Sequence, residues 1–369
     1  MKAVGVFPAE RRFEVIDHPE PGITSANHVK LRMLEVGICG TDKEIVSFEY
    51  GNPPAGSHYL ILGHEALGEV VEVGSAVRGF QPGDLAVPTV RRPCSQLTCA
   101  ACRSGRQDFC FTGGFTERGI NAQHGFMAEY VVEDALNINP VPRKLRDVAV
   151  LVEPLTIAEK GMAQLWQVQQ RLPWTQNSPE QPRGEGLRAV VLGGGPVGLL
   201  GAMKLVLEGF ATYIYSLSPP GSDLPGMAAS FGAKFIPAET VSVAQLAELV
   251  GNIDVVYEAT GVSSLSYEVL KYLGTNGAFI LTGVPALRGP KSVDADLIMR
   301  NQVLKNQVVI GTVNAGKQSF ADAITDIGEF YKRWPKAVGS LITHRFPIDD
   351  VREPLSGKAG GIKSILTIS

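Results

Sequence analysis

Residues 187–201 read LRAVVLGGGPVGLLG, and this stretch decides the fold. LRAVVL is a continuous apolar run of the kind expected for a parallel strand buried on both faces. Gly193, Gly195 and Gly198 then form G-x-G-x-x-G, after which the apolar spacing becomes helical to about residue 209. Glycine at those positions lets a backbone approach a pyrophosphate, and the following helix N-terminus stabilises its charge. Standing alone the motif describes a tight turn; between a strand and a helix it predicts a dinucleotide site.

Downstream, ATYIYS (211–216), IDVVYEAT (253–260), GAFILTG (277–283) and QVVIGTV (307–313) read as further strands with helical segments between most of them. That alternation predicts a doubly wound parallel sheet, the Rossmann arrangement, over residues 156–312. Upstream the character is different. HVKLRMLEVG (28–37), ALGEVVEVG (66–74), DLAVPTV (84–90) and FMAEYVVED (126–134) are short β-type runs punctuated by Gly and Pro, as in a barrel or sandwich. The N-terminus reads as a strand and a hairpin, and residues 154–168 place Leu155, Ala158, Met162 and Leu165 at helical spacing. RLPWTQNSPEQPRGEG (171–186) reads as an exposed loop. Residues 313–369 add a helix around 320–332 and a terminal strand, KSILTIS.

Composition narrows the function. With 369 residues, 44% hydrophobic and 19% charged residues, and a formal net charge of −3, the chain has no basic footprint for nucleic acid or a membrane surface. No apolar run reaches the ~18 residues of a membrane span, and the start lacks a secretory core, so the expected compartment is the cytoplasm and the expected partners are small molecules.

Four of the five cysteines, Cys94, Cys99, Cys102 and Cys110, fall in C-x4-C-x2-C-x7-C. Four thiolates on one short loop suit tetrahedral zinc, a redox-inert structural staple. The fifth, Cys39 in GICGTD, joins His64 and Glu65 in GHE and Glu153 in VEP as zinc-competent donors. Singly these residues belong as readily to a core; a carboxylate where the β-rich segment ends suggests a second metal.

GICGTD, GHEALGEVVEVG, the cysteine cluster and VLGGGPVGLLG, in this order, resemble the zinc-containing medium-chain alcohol dehydrogenases over essentially the whole chain. VEPLTIAEK, RGI followed by GFMAEY, and GTVNAGKQSF resemble the glucose 1-dehydrogenase branch. The resemblance implies an α/β fold: a GroES-like β-rich catalytic domain (1–155), the Rossmann domain, and a C-terminal segment returning to the catalytic domain. It places Cys39, His64, Glu65 and Glu153 on catalytic-zinc positions, completed by water or substrate, with Glu65 and Glu153 exchanging during turnover. It also implies a homo-oligomer, dimer or tetramer. The x4 spacing after Cys94, where x2 is usual, and the insertion before the first Rossmann strand depart from the family pattern.

The chemistry implied is oxidation of an aldose, D-glucose first, at the anomeric carbon to a lactone, with zinc as Lewis acid and hydride transfer to NAD(P)+. Thr41, two residues past Cys39, is placed to relay the proton. Glu117 and Asn314 match positions that bind substrate or the nicotinamide region, and Thr41 and Glu153 complete the substrate set. The cofactor surface is expected on Gly193, Gly194, Gly195, Pro196, Val197 and Gly198, with Ser216, Ser218, Thr260, Gly283, Val284 and Asn314. YSLSPPGSD (215–223) has no carboxylate at Ser216–Ser218 for a ribose 2'-hydroxyl and no Arg for a 2'-phosphate; the expectation is NADP, bound through Ser216 or Ser218, with NAD also allowed. The alternatives are a polyol or secondary-alcohol dehydrogenase with the same chemistry, and a non-catalytic NADP-binding sensor.

Overall fold

The computed structural model describes residues 1–174, 181–218, 221–357 and 359–369. It divides into two compact units. The first comprises Met1–Thr156, Asn314–Tyr331 and Val338–Ser369; the second comprises Ile157–Val313 and Lys332–Ala337. Within the predicted loop 171–186, residues 175–180 lie outside the described residues.

The first unit is built on the strand His28–Gly37. Its first half alternates buried and half-buried side chains, and its last four residues are all buried. Glu65–Val73 pairs with it antiparallel on one side and Lys363–Thr367 antiparallel on the other. The sheet continues outward through Leu85–Pro88 and Ile138–Val141 at one edge and Ile342–Pro347 at the other, while Tyr130–Asp134 also pairs with His28–Gly37. Lys2–Phe7 forms a second sheet with Arg12–Asp17 and Leu60–Ile61. The core follows from the alternation: Val4, Val6, Leu31, Met33, Val36, Leu67 and Val70 are at most 1% exposed. The helix Lys317–Arg333 buries Phe320, Ala323, Ile327 and Phe330, one stripe at helical spacing.

The second unit is a six-stranded sheet in which every neighbouring pair is parallel. Its order is Lys234–Pro237, Ala211–Ser216, Arg188–Leu192, Ile253–Glu258, Leu273–Leu281, Val308–Gly311. Numbered along the chain this is 3-2-1-4-5-6, the dinucleotide-binding order, with its crevice beyond the strand ends where the order reverses. The expected strands all form. Lys234–Pro237 was not legible, because a four-residue edge strand that opens on Lys and closes on Pro carries no apolar run. Helix Pro196–Leu207 buries seven of its residues, and a Cβ on Gly198 would strike the carbonyl of Gly193, so strand and helix meet at van der Waals distance only with glycine there.

Leu60–Ile61 is held by an aromatic cluster. Ile61 N donates to His124 Nδ1 at 3.1 Å, His124 stacks on Tyr59 at 5.3 Å, and the Tyr59 hydroxyl lies 2.7 Å from His18 Nδ1. Burial, reinforced by the charges of His18 and Arg118, depresses His124 to about 4. Because Nδ1 accepts, the ring must be neutral with its proton on Nε2. A histidine whose folded value lies below its unfolded 6.5 contributes stability above pH 6.5, lost as pH falls toward 4, where the unfolded chain binds the extra proton. The melting temperature is therefore expected to drop between about pH 6.5 and 4, and His124→Asn, which keeps an acceptor without titrating, to flatten that drop. An unchanged pH slope in the variant would assign it to another group.

Candidate active site

The strand His28–Gly37 delivers the chain to Cys39, which caps the short helix Gly40–Val46. Three residues on, Asp42 is completely buried; its Oδ2 accepts from Cys39 N at 2.8 Å, and its Oδ1 lies 3.5 Å from His64 Nδ1. One carboxylate thus holds the Cys39 backbone and faces the His64 imidazole, as outer carboxylates do around metal-bound histidines. Glu65 opens the strand Glu65–Val73 and stands opposite Gly37 in the register. A Cβ at position 37 would collide with Glu65 Oε2, so Gly37 is what makes room for this carboxylate.

The donor atoms of Cys39, His64 and Glu65 lie within 4.8 Å of one another. Glu153, in the first turn of Val152–Gln169, is outside that set but buried close by. Its carboxyl is pushed up to about 7, mainly by burial, with His64 and Lys363 pulling it down and Glu65 and Asp42 pushing it up. Burial disfavours the His64 cation, yet Asp42 and Cys39 raise it well above its usual value. His64 Nδ1 faces Asp42 Oδ1, and Glu65 Oε2 is ion-paired with Lys363. A thiol, an imidazole and a carboxylate converging beside the Glu153 carboxyl, which burial drives toward protonation, are a donor set that a divalent cation would fit, and the donor types are those of zinc. Thr41 is half-buried on the first turn of Gly40–Val46, beside this group.

The sulfurs of Cys94, Cys99, Cys102 and Cys110 also lie within 4.8 Å of one another. Cys99 and Cys110 are 3.8 Å apart, as are two thiolates held tetrahedrally at ~2.3 Å, whose sulfurs sit about 3.8 Å apart. Hydrogen bonding from Thr112 holds Cys110 down at about 6. The longer loop after Cys94 still brings its sulfur into the group, so this cluster fits a closed structural zinc.

Glu117 is buried; its Oε1 accepts from Arg91 Nε at 3.0 Å and from Asn314 Nδ2 at 3.1 Å. Asn314 belongs to the first unit and takes a left-handed backbone, with its Oδ1 accepting from Ala315 N. Glu117 and Asn314, two of the four residues expected at the substrate, are therefore in contact.

In the second unit Gly193 has φ of 108°, a turn that L side chains rarely make, and Gly195 is the exposed cap of Pro196–Leu207 with nothing near its missing Cβ. Ser216 Oγ accepts from Gly194 N at 2.9 Å, which ties the second strand's end to the glycine loop. Beyond it Ser218 N donates to Glu239, a carboxylate that the sequence reading overlooked because it follows the third strand. Glu258, 1% exposed, accepts from Thr260 N, Thr260 Oγ1 and Gly261 N through Oε1 and from Gly283 N through Oε2. It holds together the two loops carrying Thr260 and Gly283, while Val284 is 74% exposed. Asp42, Glu258, Glu239 and Lys363, treated below, were not singled out from sequence. Asp42 alone had a signal, an acid three residues after a helix cap.

Residues 146–368 match the family model described as glucose dehydrogenase C-terminus, and residues 25–143 match the alcohol dehydrogenase GroES-like domain. The chain is 38% identical over 371 residues to a glucose 1-dehydrogenase of Methanocella arvoryzae, covering 100% of this chain and 99% of the relative. It is 37% identical over 373 residues to a glucose 1-dehydrogenase of Thermoproteus tenax, with the same coverage. Among solved structures, the Haloferax mediterranei glucose dehydrogenase in complex with NADP, Zn and gluconolactone superposes with a TM-score of 0.87 at 28% identity, covering 100% of this chain and 99% of that one. With two family models spanning nearly the whole chain and relatives aligned end to end, the chain belongs to the glucose dehydrogenase branch of the zinc-containing medium-chain alcohol dehydrogenases.

Proposed function

We propose that this chain oxidises D-glucose at its anomeric carbon to the lactone, with zinc at Cys39, His64, Glu65 and Glu153 and with NADP+ as acceptor, NAD+ being also used. The observation that carries the reading is the convergence of the Cys39, His64 and Glu65 donor atoms in a buried pocket beside Glu153. The relatives named glucose 1-dehydrogenase, and the related structure containing NADP, Zn and gluconolactone, support the substrate and cofactor. In this reading residues 1–155 and 313–369 form the catalytic domain and 156–312 the cofactor domain, with Cys94, Cys99, Cys102 and Cys110 holding the structural zinc.

Zinc bound at Cys39 supplies Lewis acidity that lowers the pKa of the sugar hydroxyl, and the nicotinamide supplies the hydride acceptor. With cofactor and metal bound, oxidation would remove the C1 hydrogen as hydride to the nicotinamide and the hydroxyl proton to solvent, leaving a C1 carbonyl. Thr41 would relay that proton, its hydroxyl accepting from the sugar hydroxyl while donating its own proton onward toward water. Glu117, fixed by Arg91, and Asn314 orient the ring hydroxyls. Asp42 keeps the His64 ring turned toward the metal. Gly193 to Gly198, with Pro196 and Val197 opening the helix, cradle the pyrophosphate, and Thr260, Gly283 and Val284 flank the cofactor.

Ser216 is already engaged with Gly194 N, and Glu239 occupies the Ser218 N–H that a 2'-phosphate would use. A carboxylate there repels phosphate, which is the physical basis for accepting NAD+ alongside NADP+.

A homo-oligomer formed through the edge strand Val308–Gly311 is supported by the exposed apolar residues Val303, Leu304 and Val309 beside it. No helix among the described residues is long and apolar enough to cross a membrane. Cysteines clustered with metal spacing rather than disulfide pairing support a reducing compartment, the cytoplasm.

Initial rates with glucose, galactose, xylose, sorbitol and simple alcohols should show chelator-sensitive aldose oxidation, with Thr41→Val lowering kcat by an order of magnitude or more; sorbitol oxidation without aldose oxidation would make the enzyme a polyol dehydrogenase. Glu239→Gln should raise the NADP-to-NAD ratio of kcat/KM several-fold, and an unchanged ratio would remove Glu239 from cofactor choice. Light scattering should give a dimer or tetramer that Val309→Lys weakens toward monomer; a monomeric parent chain would dismiss the edge-strand interface.

A further inference from the structure

We infer that Lys160 is a positioning residue for the sugar. Its buried ammonium holds the backbone carbonyl of Val313, which sets the peptide leading into Asn314 and, through Asn314, the contact with the Glu117 carboxylate. The inference rests on the substrate role proposed above for Glu117 and Asn314. Lys160 lies in the helix Val152–Gln169, is 3% exposed, and its Nζ donates to Val313 O at 2.9 Å. That carbonyl and Asn314 N belong to one planar peptide unit, so a bond to the oxygen fixes the plane from which Asn314 turns. Asn314 turns into a left-handed conformation, φ 57°, which residues other than glycine seldom adopt. Its Nδ2 donates to Glu117 Oε1 at 3.1 Å and its Oδ1 accepts from Ala315 N at 2.9 Å. Asn314 is therefore held from two directions, by Glu117 and Ala315 through its side chain and by Lys160 through the preceding peptide.

The surroundings give that bond its importance. The strand Val308–Gly311 ends the sheet, and one residue beyond it Thr312 N still donates to Leu281 O at 3.0 Å. At Val313 the side chain is 52% exposed, so packing contributes little and the hold is on the carbonyl. The neighbouring helix residue, Gly161, shows how close the helix runs to this segment: a Cβ there would lie 3.3 Å from Ile280 Cγ2 and 3.9 Å from Thr312 Cγ2. Burying an ammonium is costly unless hydrogen bonds replace its water, and an apolar side chain of similar length would fill the same space without that cost. A charged donor on a carbonyl also makes a stronger hydrogen bond than a neutral one. Lys160 therefore stands where a fixed backbone is needed, immediately before a residue that the sugar uses.

The experiment is a double-mutant cycle on the full chain with its metals bound. Parent, Lys160→Met, Asn314→Ala and the double variant are compared for KM and kcat with whichever sugar or polyol the parent oxidises, and parent and Lys160→Met for amide exchange at Ala315. Lys160→Met is expected to raise the substrate KM about fivefold or more with kcat within about twofold, the pattern of lost substrate binding. It is also expected to speed exchange of the Ala315 N–H, while Lys160→Arg, which keeps a cationic donor, returns both toward the parent. In the Asn314→Ala background the same change is expected to alter KM by less than about twofold, because the residue it acts through is gone. A parent-like KM in Lys160→Met, or a KM effect of equal size in both backgrounds, would overturn the proposal. Should Lys160→Met fail to fold, Lys160→Gln, one bond shorter and out of reach of Val313 O, takes its place with the same two outcomes. A parent that oxidises sorbitol and no aldose would overturn the glucose reading alone, since the cycle runs on either substrate.

Discussion

The antiparallel register around His28–Gly37 is the constraint on which the first unit depends. Gly37 stands opposite Glu65 on one neighbour and Ile365 on the other, and the chain then turns into Cys39. A one-residue slip on either side would carry Glu65 or Lys363 to the opposite face of the sheet. The thiol, imidazole and carboxylate of residues 39, 64 and 65, and a buried ammonium from residue 363, are thus brought together by backbone hydrogen bonds that are indifferent to their chemistry. The apolar alternation at Val29, Leu31 and Met33 fixes which face of the first half is buried, and an irregularity in the pairing between Met33 and Glu35 resets the register so that Gly37 comes opposite Glu65.

The second unit uses a different device for the same end. Its 3-2-1-4-5-6 order opens a crevice at the strand ends, and the loops there are tied by side chains rather than by sheet pairing. Ser216 ties the second strand to Gly194, and Glu258 clamps the two loops holding Thr260 and Gly283. Fixed backbone N–H groups at the start of Pro196–Leu207 are then available to an anion without reorganisation.

The architecture was legible because periodicity and glycine placement are local signals. LRAVVLGGG states a buried strand and a turn within nine residues, and the cysteine spacing states a metal loop within seventeen. Partners that lie far apart in sequence were not legible. Lys363 reads as the polar start of a terminal strand until Ile365 is seen paired with Gly37. Glu239 follows a strand too short and too polar to announce itself, so its contact with the Ser218 N–H is visible only once that edge strand is paired. Residues whose meaning lies in a local turn can be read directly; residues whose meaning lies in register need the fold.

Buried carboxylates occur in both units, and hydrogen bonding separates their roles. Glu258 is almost wholly buried, but both of its oxygens accept backbone N–H groups, so its charge is spent on holding loops. Glu65 and Asp42 are as deeply buried, yet they face charged or ionisable side chains: Glu65 Oε2 is ion-paired with Lys363, and Asp42 Oδ1 lies 3.5 Å from His64 Nδ1. Removing one member of such a buried pair leaves an uncompensated charge, which costs far more than the pair itself contributes. Glu258 therefore acts through the backbone as scaffold, whereas Glu65 and Asp42 act through side chains that converge beside Cys39.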